Sequence, residues 1–149
     1  MLVFCSPAFA EETTLCHSFE EIYFSCHINN NIISLCASGN LSPERGYVQY
    51  RYGKIENIEF QHPKNPAPPP KKRIEISEIT IGHIDFTNIK FRSDSYAYEI
   101  YQGFPSGLYV KHDGKLIFNH QCDVGIYQQL NQRIFRGLET VAPDSNIDD

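Results

Sequence analysis

The residues of this chain best suited to chemistry are its five cysteines and six histidines. Cys16-His17, Cys26-His27, Cys36 and His120-Gln-Cys122 gather soft ligands of the kind that hold zinc. None falls into a CxxC or HxxxH pair, the spacing that lets one turn or one helix face offer two ligands to one ion. The expectation is no metal. A cysteine nucleophile needs a free thiolate with a histidine beside it, and a serine nucleophile of the hydrolase type stands in Gly-x-Ser-x-Gly, which does not occur here. Glu20-Glu21, Glu56/Glu59 and Glu75/Glu78 are the carboxylate pairs. A spacing of three on a strand puts the two groups on opposite faces, which hinders a shared acid–base site. No glycine-rich run links a strand to a helix, so no phosphate loop is expected. These readings assign no catalytic residue and imply no cofactor.

The cysteines have a second use. Met1 to Phe4 are apolar, Pro7 breaks the run, and Ala8-Phe9-Ala10 offers small residues where a signal peptidase reads them. Residues 1–10 are thus expected to be the remnant of an export signal, with Glu11 opening the mature chain. Cleavage removes Cys5 and leaves Cys16, Cys26, Cys36 and Cys122, an even number that fits two disulfides in an oxidising compartment. Such thiols are not free for metal or catalysis.

The elements that would position these residues read mostly as strands. Aromatic residues make up 13% of the chain, as Tyr and Phe without Trp, and isoleucine is frequent, which suits a pleated surface. Glu21–Ile28 and Ile32–Ser38 flank Asn29-Asn30-Asn31, a hairpin turn. If that turn centres on Asn31, Cys26 lies directly opposite Cys36; if it centres between Asn30 and Asn31, the two take opposite faces. The three-residue turn is preferred, which pairs Cys26 with Cys36 and leaves Cys16 with Cys122. Tyr47–Tyr52 alternates, and Ile55–Phe60 alternates with one slip of phase that marks a bulge. Residues 62–72 hold five of the nine prolines and read as a stiff extended loop. Ile74–Phe91, interrupted at Gly82-His83, and Tyr96–Tyr101 continue the pattern. Gly107–Lys111 and Lys115–His120 flank His112-Asp113-Gly114, the strongest hairpin signal. Leu130, Ile134 and Leu138 recur at helical spacing and predict one C-terminal helix ending near Gly137. Residues 141–149 read as a disordered acidic tail. The expected fold is one disulfide-bonded β domain over residues 11–140: an antiparallel meander of about eight strands, closed as a barrel or folded as a sandwich, plus that helix.

The formal net charge of -5 argues against nucleic acid, whose phosphates need a basic surface. Lys71, Lys72 and Arg73 form a lone basic cluster at a loop end. No run of about 18 apolar residues is present, so no helix is expected to span a membrane. What remains is surface. Tyr47, Gln49 and Arg51 share one face of a strand, and Tyr and Arg are the types that anchor protein interfaces. Together with Pro68 and Lys71 of the proline loop they are the expected binding residues. The competing reading makes Arg51 a structural ion pair or strand cap.

The run Phe24-x-Cys26, Ile33-Ser34-Leu35-Cys36-Ala37-Ser38 and Tyr47-Val48-Gln49-Tyr50-Arg51-Tyr52-Gly53 resembles a pattern in small exported proteobacterial proteins of unknown function. The resemblance spans residues 24–53 and implies a class, not a mechanism. Exported β-proteins of this kind include periplasmic lysozyme inhibitors and immunity proteins against toxins. The inhibitors' Ser-Gly-x-x-Tyr loop is missing, and Pro105-Ser-Gly-Leu-Tyr109 echoes it only in part. The expected function is a non-enzymatic periplasmic or secreted binding protein that recognises another protein, such as a hydrolase or toxin. The alternatives are a structural module of the envelope and an enzyme of unrecognised type, which would need a pocket near Arg51, His83 or His120.

Overall fold

A computed structural model of the chain describes residues 14–103, 106–123 and 132–141. The expected export remnant, residues 124–131 of the expected helix and residues 142–149 of the expected tail lie outside these. Among the described residues, ten strands form two sheets. The first holds β1 (Glu21–Ile28), β2 (Asn31–Ala37), β3 (Val48–Lys54) and β4 (Asn57–His62), side by side in chain order. The second holds β5 (Glu75–Ile81), β6 (Ile84–Ser93), β7 (Tyr96–Tyr101), β8 (Gly107–His112) and β9 (Lys115–Gln121), with β10 (Glu139–Val141) added outside β5. The mostly β expectation holds, and successive strands within each sheet are antiparallel. The sheets are not closed into a barrel: β4 and β9 are edge strands.

Local chemistry explains the hairpins. Asn29, Asp94 and Asp113 take positive φ (56°, 54° and 52°), the left-handed region that Asn and Asp tolerate and that tight hairpins require. The alternating strands then put Phe24, Ile33, Leu35, Val48 and Tyr50 of the first sheet into one core with Ile76, Ile89, Ile100 and Leu108 of the second.

The C-terminal expectation needs correction. Among the described residues the segment is a short 3-10 helix, Gln132–Arg136, followed by β10, which runs parallel to β5. Ile134 and Leu138 are core residues, so the helical spacing reflected two inward side chains on one tight turn. Residues 139–141 pair with Glu75–Ser77, so Val141, the first residue of the expected tail, is part of a strand.

The disulfide pairing is also corrected. The bonds are Cys16–Cys36 and Cys26–Cys122, not Cys26–Cys36 and Cys16–Cys122. The first hairpin turns on Asn29 and Asn30, so Cys26 sits opposite Ile33, and a bulge at Tyr23 leaves Cys36 opposite Ile22. Cys26 therefore faces the core with Phe24 and Ile28, while Cys36 faces the other side of the sheet with Ser34. Cys26 ties the first sheet to the residue just past β9, and Cys36 ties an N-terminal arm to the sheet's outer face.

The two bonds close loops with sequence separations of 20 and 96. Chain entropy makes the longer loop worth about 5 kcal/mol and the shorter about 3 kcal/mol. Non-reducing peptide mapping should recover these two pairs, and a Cys26→Ala/Cys122→Ala variant should lose more stability to urea than Cys16→Ala/Cys36→Ala. Recovery of a Cys26–Cys36 peptide would overturn the assignment.

Candidate functional site

The five expected binding residues do not form one surface. Gln49 and Arg51 are 2% and 4% exposed, on the outer face of the first sheet and beneath the arm of residues 14–20. Arg51 donates from Nη1 to Glu20 Oε1 (2.6 Å) and from Nη2 to Glu20 Oε2 (2.9 Å). Its Nε donates to Gln49 Oε1 (2.7 Å) and Nη1 also to the Leu15 carbonyl (3.2 Å). Gln49 in turn donates to the Pro63 carbonyl (2.8 Å). The Tyr47 hydroxyl donates to Glu20 Oε2 (2.6 Å) and the His17 N–H to Oε1 (2.8 Å). The arm is further pinned by Leu15 N–H to Ser34 Oγ (2.9 Å) and by Cys16–Cys36. Arg51 is thus a buried structural ion pair. Pro68 is exposed and Lys71 pairs with Glu44 on the proline loop. Two of the residues named for an enzymatic pocket, His83 and His120, are exposed.

The outer face of the second sheet is also polar and enclosed. Ser77, Asn88, Lys90, Glu99 and Lys111 are buried there. Lys90 lies opposite Glu99 in the β6–β7 register, a favourable cross-strand pair, and Asn88 Nδ2 donates to Glu99 Oε1. Among the described residues no group of three or more His, Cys, Asp or Glu side chains is placed to hold a metal ion.

Among the described residues one open place lies where the two sheets fail to close. A cleft of about 390 Å³ lies between β4 and β9, lined by Tyr50, Tyr52, Glu59, Phe60, Tyr96, Tyr98, Leu108, Val110, Ile117 and Phe118. Its floor is a ring cluster: Phe60 stacks on Tyr98 at 5.1 Å, Tyr98 on Phe91 at 4.8 Å, and Tyr50 tilts against Phe91 at 4.9 Å. Burial, then neighbouring Tyr96, holds the Tyr98 phenol above its usual value, so the ring stays neutral.

Two irregularities shape the mouth. In the β3–β4 ladder Tyr52 faces Phe60 and Gly53 faces Ile58, so Glu59 is an extra residue. In the β8–β9 ladder Val110 faces Phe118 and Lys111 faces Leu116, so Ile117 is an extra residue. Bulges at sheet edges re-aim side chains, and here both inserted residues line the same cleft. The first bulge depends on Gly53 (φ 144°), where a β-carbon would lie 2.5 Å from the Asn57 carbonyl oxygen and 2.8 Å from the Glu59 nitrogen. Leu116 and Ile117 are 51% and 54% exposed, and no described strand pairs with the far edge of β9.

The slip of phase in Ile55–Phe60 falls between Ile55 and Ile58, because Ile55 lies in the turn before β4, and so does not mark the bulge at Glu59. The apolar run Leu116-Ile117-Phe118 is the sign of the cleft in the residues, since a regular strand cannot turn adjacent residues to one face. No family model matches the chain, and no curated protein or solved structure matches it.

The Arg51 cluster fixes how stability responds to acid. Burial would raise the Glu20 carboxyl, but hydrogen bonds from Arg51, Tyr47 and the His17 backbone outweigh it and hold the group below its ordinary 4.5. A carboxyl depressed in the folded state lends stability that is complete above its unfolded value and is lost as pH falls through the folded one. The wild type should therefore lose this contribution below about pH 4.5. Glu20→Gln has no such group, so the gap between their urea midpoints should narrow on acidification. A gap constant down to about pH 3 would refute this. At neutral pH, Arg51→Ala leaves a buried carboxylate unpaired and should reduce the unfolding free energy by about 3–5 kcal/mol.

Proposed function

We propose that the chain is an exported, non-enzymatic binding protein of the inhibitor or immunity kind, acting in the periplasm, and that it engages another protein at the cleft between β4 and β9. The observation that carries this reading is the convergence of the two bulged residues, Glu59 and Ile117, on one aromatic cleft. Apolar surface is exposed around it: Tyr96 and Ile117 on the cleft, Ile58 in the adjoining hollow, and Leu116 beside Ile117. An interface core needs rigid aromatic area with a polar rim, and this cleft has both.

Two further facts support the compartment and the partner class. The two disulfides suit an oxidising, extracytoplasmic environment. The formal charge of -5 favours encounter with a basic partner, such as a basic hydrolase, by electrostatic steering. The covered Arg51 face serves the scaffold, which leaves recognition to the open edge.

A photo-crosslinking group at Ile117 in the oxidised protein, incubated with periplasmic extract and with a panel of cell-wall hydrolases, tests this. One hydrolase or toxin should be captured, with a yield that falls at high salt and with Tyr52→Ala. The same group at Phe19, exposed on the arm, should capture nothing. Adducts only to envelope components or to a second copy of the chain would instead make it a structural module.

A further inference from the structure

We infer that the cleft is built to receive a cationic side chain, an arginine, from the protein partner. This rests on the reading of the cleft as a protein-binding site and specifies its ligand. The lining includes Tyr50, Tyr52, Phe60, Tyr96, Tyr98 and Phe118, with Glu59 as its one charged residue. Aromatic faces carry partial negative charge and attract cations within about 6 Å of the ring centre. Glu59 has no ion-pair partner among the described residues, and the bulge places it in the lining of the same cleft as the rings.

Each kind of occupant meets this lining differently. A carboxylate or phosphate meets both the ring faces and Glu59 with the wrong sign. An aliphatic side chain covers the rings but desolvates Glu59 without giving it a partner, which is unfavourable. A cation satisfies both features at once. Between the two protein cations, a guanidinium is planar, weakly hydrated, stacks on aromatic faces and offers a carboxylate two parallel N–H donors. An ammonium is a compact, strongly hydrated point charge. The Phe60 and Tyr98 rings are stacked near-parallel (12°), and a planar guanidinium can extend such a stack where a compact ammonium cannot.

The stacked rings also need no reordering. They are packed against Tyr50 and Phe91, so little side-chain freedom is lost on binding. The acidic formal charge of the chain then acts at long range in the same sense as Glu59 at short range.

The test is an NMR titration of the oxidised full chain with N-acetyl-arginine methylamide, N-acetyl-norleucine methylamide and choline. The arginine probe should shift the signals of Tyr52, Tyr98 and Ile117 saturably, and the norleucine probe should bind at least about fivefold more weakly. Glu59→Gln should weaken the arginine probe by about fivefold and leave norleucine unaffected, and added salt should do the same. Thermal unfolding of Glu59→Gln should match the wild type, because the residue is exposed and has no ion-pair partner among the described residues. Norleucine binding as well as arginine would overturn the cation inference while leaving the cleft as a protein site. Choline binding more tightly than arginine would overturn the protein source of the cation. If none of the probes perturbs the cleft, both the inference and the cleft reading fail.

Discussion

A guanidinium that leaves water must be met by an opposite charge and by acceptors for its N–H groups. Arg51 stands in the middle of β3 on the face turned away from the core, and Glu20, Gln49 and the Leu15 carbonyl supply what it requires. Glu20 and Leu15 belong to the arm before β1, so meeting Arg51 lays that arm across the sheet. With the arm in place Cys16 comes to Cys36, and Ser34 receives the Leu15 N–H. The first sheet then has two covered faces, one over the core and one beneath its own N-terminal segment.

That arrangement decides where the molecule can be open. Cys26, on the core face, is free to bond Cys122 just past β9 and so fastens β1 to one end of that strand. The other end of β9 reaches the far edge of the first sheet, where Ile117 and Phe118 share a cleft with Tyr52 and Phe60. No covalent link joins β4 to β9. The staples are gathered on the side of β1 and the arm, and the gap between the sheets is left on the side of β4. Rigidity at one edge allows the opposite edge to keep apolar side chains in solvent without the scaffold collapsing onto them.

Most strands were legible because their determinants are local. The Asn29, Asp94 and Asp113 turns and the alternation of Tyr96–Tyr101 fix hairpins without reference to the rest of the chain. The failures lie in register and in long-range pairing. The first turn falls on Asn29 and Asn30 and not on Asn31, which moves the partner of Cys26 from Cys36 to Ile33 and puts the two cysteines on opposite faces, since an odd register slip exchanges the two sides of a strand. The pairing of β10 with β5 joins segments far apart in sequence, and nothing near residue 139 announces it. Tyr47, Gln49 and Arg51 were correctly placed on one face. That the face is covered follows from Glu20, which stands well before β3 in the chain and reads in isolation as a solvated acid. The cleft was legible only as one break in pattern, at Leu116–Phe118, because the Glu59 bulge hides inside the regular spacing of Ile58 and Phe60. A break in alternation locates a bulge but does not say what it meets.

An edge strand with neighbouring Leu and Ile in solvent is also a template for pairing with another chain. The two inserted residues that shape the cleft limit that hazard. Each bulge interrupts the regular spacing of ladder groups and increases the local twist, so neither β4 nor β9 offers a long flat edge. Glu59 at one bulge and Lys115 at the start of β9 add charge where a second strand would have to lie, a common guard on natural edges. Beneath the exposed Ile58, Leu116 and Ile117, the partly buried rings of Phe60, Tyr98 and Phe118 present surface without the entropy of long flexible side chains. A regular ladder at the same two positions would leave both strands better templates for a copy of themselves and would lack the two inserted residues that line the cleft. The irregularity that admits a ligand is therefore the same one that discourages self-pairing.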